Sequence, residues 1–288
     1  MIPVQYRDGL LAVFLFGITP LFIKEVSANA FTIGIVRLSI GAAFLYFLAR
    51  NKQLHQLSRK EWLALYLMGF LFGVHWLTYF ISVKLSTPSM AILSVSSFGI
   101  HMVYLNAIIK KIRPSWINLV TLLLALLGVY LILPDFDLNN DFTTGVLVGL
   151  LSAFFFALLP FVQQRHYQIN AMNRAFGQYV FALPVFLIFT GETEWSLSQL
   201  DWVYLAILGL VCTVGAHTLW LRSTTILPTP QTSLIFYLGT PIAMIASALF
   251  LNEPMTSSKI AGASLIIGAN VLGVLMQARK DRKLTKIN

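Results

Sequence analysis

Three histidines lie inside apolar stretches of this chain, His75, His101 and His217, and they are the groups there whose charge could change near neutral pH. Close to them stand Trp76, Tyr79, Ser97, Tyr104, Trp220, Phe236, Tyr237 and Thr240. Aromatic faces mixed with hydroxyls suit a small amphipathic solute such as an amino acid, whose flat part stacks while its polar end hydrogen-bonds. The plainer alternative is a set of histidines packed structurally among core aromatics. Arg37 is the one basic side chain well inside an apolar stretch. Such a guanidinium either contacts a solute's carboxylate or phosphate, or snorkels outward and bonds helix carbonyls. No Asp or Glu sits mid-stretch, which argues against the trading of protons for a cationic drug at a buried carboxylate.

The elements that hold these residues are membrane helices. Of 288 residues 57% are hydrophobic and 11% charged, with a mean hydropathy of +0.77, which excludes an ordinary soluble domain. A net charge of +9 would suit nucleic acid only if it formed a basic face, and here Lys and Arg fall at the ends of apolar runs. Polar breaks divide the chain into ten such runs: 9–23, 31–49, 62–83, 88–108, 115–133, 145–162, 171–190, 202–221, 229–251 and 257–277. The first lacks a charged leader and a cleavage site and reads as a retained span. With the N-terminus inside, sixteen Lys and Arg fall on the cytoplasmic side and only Lys24, Lys84 and Lys259 outside, so both termini are expected in the cytoplasm.

A repeat underlies the runs. A shift of 142 pairs Gly73 with Gly215, His75 with His217, Leu85 with Leu227, Thr87 with Thr229 and Pro88 with Pro230. A shift of 140 pairs Pro20 with Pro160 and Glu61-Trp62 with Asp201-Trp202. Five spans per repeat, an odd number, require the second repeat to enter the membrane from the opposite side. The expected fold is therefore an all-α polytopic membrane protein of ten transmembrane helices, as two inverted five-helix repeats over residues 1–140 and 141–288. Pro20 and Pro160 are its candidate hinges. The pathway is expected along the third, fourth, eighth and ninth spans, closed by the first and sixth.

The end of the second repeat has a distinctive wording. Pro241-Ile-Ala-Met-Ile-Ala-Ser-Ala-Leu-Phe-Leu-Asn-Glu253-Pro254 is followed by Ile260-Ala-Gly-Ala-Ser-Leu-Ile-Ile-Gly268, and Thr-Val-Gly-Ala-His-Thr-Leu occupies 213–219. This resembles the EamA family of the drug/metabolite transporter superfamily. The first half departs from it, with Gly99 opposite Pro241 and Ile112 opposite Glu253. Glu253 is expected to accept hydrogen bonds at the start of the tenth helix. Gly262, Ala269 and Gly273 share a face that permits close approach. The resemblance implies that the fifth and tenth spans could support a homodimer, packing within the chain being the alternative.

Enzymatic readings find no support: the chain has no His-Glu-x-x-His, Gly-x-Ser-x-Gly or Walker A motif, and the lone Cys212 has no metal-ligand spacing. No metal and no cofactor is implied. Three readings remain. The first is a secondary transporter of the EamA type in the plasma (inner) membrane, exporting amino acids or related small metabolites by alternating access. The second is an importer of a nucleotide-like metabolite such as S-adenosylmethionine. The third is a non-transporting membrane assembly subunit, which should lack a closed polar cavity. The partners in the first reading are a small-molecule solute and the lipid bilayer.

Overall fold

The structure, a computed structural model, describes residues 3–49, 54–109, 111, 116–133, 136–227 and 229–285. Arg50, Lys52, Lys110, Arg113 and Lys286 of the charge count, Ile112 of the comparison with Glu253, and the expected start of the fifth span at Ser115 lie outside the described residues.

Among the described residues the chain is helical throughout, with no strand. In hydrocarbon every backbone polar group must find its partner inside the segment, and an apolar run can meet that demand alone only as a helix. The elements are α1 (Val4–Glu25), α2 (Ala30–Ala49), α3 (Arg59–Leu85), α4 (Pro88–Val95), α5 (Phe98–Ile109), α6 (Trp116–Ile132), α7 (Asp141–Arg165) and α8 (Ala171–Leu187). After them come α9 (Gln199–Ala206), a π-helical segment (Ile207–Gly215), α10 (Ala216–Ile226), α11 (Thr229–Tyr237), α12 (Gly239–Leu251) and α13 (Ser257–Thr285). Among the described residues, eight stretches are long and apolar enough to cross a membrane, counting α4 with α5, α9 with α10 and α11 with α12 as single passages. The other two expected spans, α6 and α8, are 17 residues each. At ~1.5 Å per residue, 17 residues fall short of a hydrocarbon core about 30 Å thick.

The polar breaks act through capping. Ser58 and Glu61 form a capping box at the start of α3, and Ser198 with Asp201 repeats it at α9, so the acids matched at a spacing of 140 do the same work. Thr87, Asn140 and Asn170 cap α4, α7 and α8, and Asn252, in the left-handed conformation at φ 51°, ends α12. The fourth and ninth runs, expected as continuous helices, are each interrupted midway, at Ser96-Ser97 and at Leu238. In the first break Ser94, Ser96 and Ser97 all turn their hydroxyls onto nearby backbone carbonyls. In the second, Pro241 has no N–H to offer Tyr237. The two breaks meet, Ser96 Oγ and Thr240 Oγ1 sharing a hydrogen bond.

Packing sets the helices into two groups. α3 lies along α7, which also contacts α4 and α5. α1 lies along α10 and the π segment and contacts α11 and α12. α8 bridges α2 and α3, and α6 packs along α13. The last contact requires glycine: a Cβ on Gly128 would come 2.7 Å from the Gly262 carbonyl oxygen, and one on Gly262 would come 2.6 Å from that of Gly128. The close approach expected of Gly262 is therefore taken up by α6 of the same chain.

Candidate functional site

Between the two groups lies a cavity of about 760 Å³, within the range of roughly 300–1,000 Å³ usual for small-molecule sites. It brings together many of the expected residues: His75, Trp76 and Tyr79 from α3, His217 and Trp220 from α10, Phe236 from α11, Arg37 from α2 and Pro160 from α7. Five expected residues do not line it, among them Tyr104, whose hydroxyl donates to the Asn118 carbonyl at 3.1 Å. Ser97 is spent on the Ser94 carbonyl, Thr240 on Ser96, and the Tyr237 hydroxyl donates to Asn270 Oδ1 at 3.2 Å. His101 sits edge-on to Phe154. These side chains belong to the helix breaks and to packing behind the wall. Pro20 is buried within α1 and is likewise absent from the lining. The expected set of four lining spans widens, since α1, α2, α7 and α8 contribute wall residues directly.

Arg37 anchors the deep end. It is 2% exposed, so it does not snorkel. Its Nε donates to Thr213 Oγ1 at 3.0 Å, and that hydroxyl donates to the Leu208 carbonyl five residues earlier at 2.7 Å, a reach that the π-helical segment provides. The guanidinium carbon lies 4.3 Å from the centre of Trp76 and 5.1 Å from that of Phe80. Cation–π contacts of this kind contribute about 1–2 kcal/mol when desolvated. Nη1 is buried with no hydrogen-bond partner, and so is the hydroxyl of Tyr179, which lines the same cavity and is 3% exposed.

The two histidines are held by backbone. His217 Nδ1 lies 3.0 Å from the Thr213 carbonyl. His75 Nδ1 lies 3.1 Å from the Ser152 carbonyl and 2.8 Å from its Oγ, and that hydroxyl donates to the His75 carbonyl at 2.8 Å. A carbonyl only accepts, so each ring carries a proton on Nδ1. Phe72 stands between them, with ring centres 6.2 Å from His75 and 6.1 Å from His217. Trp76 and Tyr179 complete the aromatic box.

At one end the cavity wall reaches the exposed Gln164 and Tyr167, with Gln163, Arg174 and Gln178 beside them. Arg174 Nη1 donates to the Gln163 carbonyl at 3.1 Å and Gln163 Nε2 to Gln178 Oε1 at 3.2 Å. None of these was expected, although Arg174 and Gln178 fall inside an apolar run, the signal that singled out Arg37. Tyr179 and Phe72 were lost among abundant aromatics.

The opposite end is tied shut. Lys24 Nζ, at the end of α1, bonds the carbonyls of Val83, Lys84 and Ser86 at 3.3, 2.9 and 2.8 Å. Lys84 returns a bond to the Val26 carbonyl. Thr87 and Ser89, at the start of α4, both donate to Glu253 Oε1, which Lys259 Nζ also contacts at 2.8 Å. Glu253 therefore does not cap the last helix as expected; Thr256 receives the Lys259 N–H instead. Burial pushes the Glu253 carboxyl up, but the bonds from Lys259, Ser89 and Thr87 outweigh it and hold the group below its ordinary value.

The fold and site are those of a multi-pass helical membrane protein with a solute-sized internal cavity. A model of the EamA-like transporter family matches residues 9–133 and 143–275, and the chain belongs to that family. Its members are transporters, not enzymes. A solved structure titled "Crystal structure of protein" is similar over 96% of this chain and 98% of its own, with a TM-score of 0.66 at 17% identity, a likeness of fold. Among curated proteins nothing matches.

Proposed function

We propose that this is a ten-span secondary carrier, built as inverted repeats over residues 1–140 and 141–288, that exports amino acids or related small metabolites across the inner membrane by alternating access. The observation that carries the reading is the cavity between two helix groups, reaching exposed residues at the α7–α8 end and tied shut at the other. Exchanging the halves supports the repeat: the contact of α3 with α7 becomes that of α10 with α1, and the contacts of α6 with α13 and α2 with α8 map onto themselves. A cavity shut at one end and lined by Arg37, His75, Arg174 and His217 favours this over an assembly subunit. An importer of a sulfonium cation is disfavoured, because Arg37 and Arg174 line the wall and no Asp or Glu does among the described residues.

Purified protein in liposomes should exchange internal for external solute in a counterflow screen of metabolites. No counterflow with any solute would overturn the proposal. The orientation, with both termini cytoplasmic, is tested separately by a C-terminal fusion, expected to be active with a cytoplasmic reporter and silent with a periplasmic one.

A further inference from the structure

Arg37 is a buried cation without an acidic partner. The two ion pairs among the described residues, Arg222 with Asp8 and Lys259 with Glu253, involve other side chains. Its Nε is committed to Thr213 and its flat face to Trp76, which leaves Nη1 unpartnered. Tyr179, whose ring centre is 5.7 Å from that of Trp76, adds a second unpartnered buried donor on the same wall. Two orphaned donors, one charged, are costly to leave in a low-dielectric site and match the two oxygens of a carboxylate. A ligand's ammonium group would meet no counter-charge, since the described lining holds no acid.

Resting on the carrier reading, we propose that the solute is a small amphipathic monoanion. Its carboxylate accepts hydrogen bonds from Arg37 Nη1 and the Tyr179 hydroxyl, its flat apolar body packs among Phe72, Trp76 and His217, and a free amino group contributes nothing to binding. This narrows the class from amino acids to carboxylates with the amine absent or blocked. Arg174 at the mouth gives the same sign of charge along the entry route.

The test uses four probes of one skeleton on the full-length protein in phosphatidylcholine nanodiscs, read by calorimetry and by Trp fluorescence: 3-phenylpropionate, its amide, phenethylamine and L-phenylalanine. The acid should bind at least ~10-fold tighter than the amide or the amine, the discrimination expected when a charge-assisted bond is lost, and no weaker than phenylalanine. Tyr179→Phe removes a hydroxyl that bonds nothing in the protein, so it should fold normally and weaken the acid ~3- to 10-fold while leaving the amide unchanged. Arg37→Lys should weaken the acid further, because the fork is lost. An amide binding as tightly as the acid, an amine binding best, phenylalanine binding ~10-fold tighter than the acid, or an unaffected Tyr179→Phe would each overturn the inference. So would displacement of the acid when phosphatidylglycerol replaces phosphatidylcholine, which would assign the anchor to lipid headgroups. Counterflow in liposomes is scored independently: its absence for every solute of the metabolite screen sinks the carrier reading, while the binding series still decides the anion site.

Discussion

The two ends of the molecule are built from matching helices and different chemistry. At the shut end the α1 group is joined to the α3 group by Lys24, Lys84 and Glu253, through buried or half-buried bonds in which at least one partner is charged. At the other end the position 140 residues after Lys24 is Gln164, and the one 142 after Lys84 is Ile226. Among the described residues there, Tyr6 to Gln231 at 2.7 Å and Arg222 to Asp8 at 3.3 Å join α1 to α10 and α11 within one group. Arg222 is also 62% exposed, so its pair contributes little. Two conformations exchanged by a perfect repeat would be equally populated. In the proposed inverted-repeat carrier, charged ties at one end against an amide and an isoleucine at the other would tilt that balance, and about 3 kcal/mol suffices to leave the disfavoured state near ~1%. The three lysines expected outside against the charge rule, Lys24, Lys84 and Lys259, all take part in this closure.

The largest effect is expected from Glu253→Ala. It leaves Lys259 buried without its partner and strips Thr87 and Ser89 of their acceptor, a change of about 3–5 kcal/mol for a broken buried pair. Cys212 is the sole cysteine and is buried, so a reporter thiol at Ile92, one turn inside the closed end, reads cleanly. Labelling of Ile92→Cys by a membrane-impermeant maleimide should rise sharply in the Glu253→Ala background, and unchanged labelling would show that the ties do not hold the end shut. Lowering pH should mimic it in wild type. The Glu253 value is depressed in the fold, so its contribution is full at neutral pH and is lost only as pH falls through that lowered value. Labelling should therefore be flat near neutrality and climb only below the ordinary carboxylate range.

The comparison is sharpened by exchanging the ends. Lys24→Gln should raise Ile92→Cys labelling roughly 10-fold, and Gln164→Lys should slow counterflow by favouring closure at the mouth, each reflecting one or two charge-assisted bonds. Equal behaviour of the two variants would remove the asymmetry argument. The smallest effect is expected from His75→Gln and His217→Gln. Both keep a donor for the backbone carbonyl and should leave the yield of folded protein unchanged, measured by size-exclusion chromatography of the solubilised carrier. A loss of folded protein would show that the imidazole ring itself, beyond its N–H, is needed to hold the wall.

Much of this was legible because hydrocarbon imposes simple rules. Apolar length located the helices, and the matched Glu61 and Asp201 proved to be matched capping acids. The deep wall followed from polar and aromatic residues where lipid would not tolerate them, hence His75, Trp76, His217 and Arg37. Ser97 and Thr240 satisfied the same criterion for another reason: a hydroxyl in a span can meet its needs on its own helix or at a helix break, and composition does not separate that from solute contact. The closure was hidden altogether, because Lys24 and Lys84 act on backbone carbonyls that no sequence pattern marks. Glu253 suggested a local cap, whereas its partners Thr87 and Ser89 lie more than 160 residues away in the chain.

The π-helical segment repays a count of residues. Ten residues separate Trp62 from Gly73, and twelve separate Trp202 from Gly215. Each residue turns an α-helix by about 100°, so a surplus of two in a regular helix would swing everything beyond it by about 200°. His217 and Trp220 would then face away from the cavity that their counterpart His75 lines. The wide turns of Ile207–Gly215 lie within this interval and absorb the surplus. They also let Thr213 bond five residues back to Leu208 while taking the Arg37 Nε–H. The segment has the form of an insertion that was accommodated in place, without being extruded as a loop. The hydroxyl that orients the buried Arg37 guanidinium is part of that accommodated length, and regular α3 has nothing equivalent.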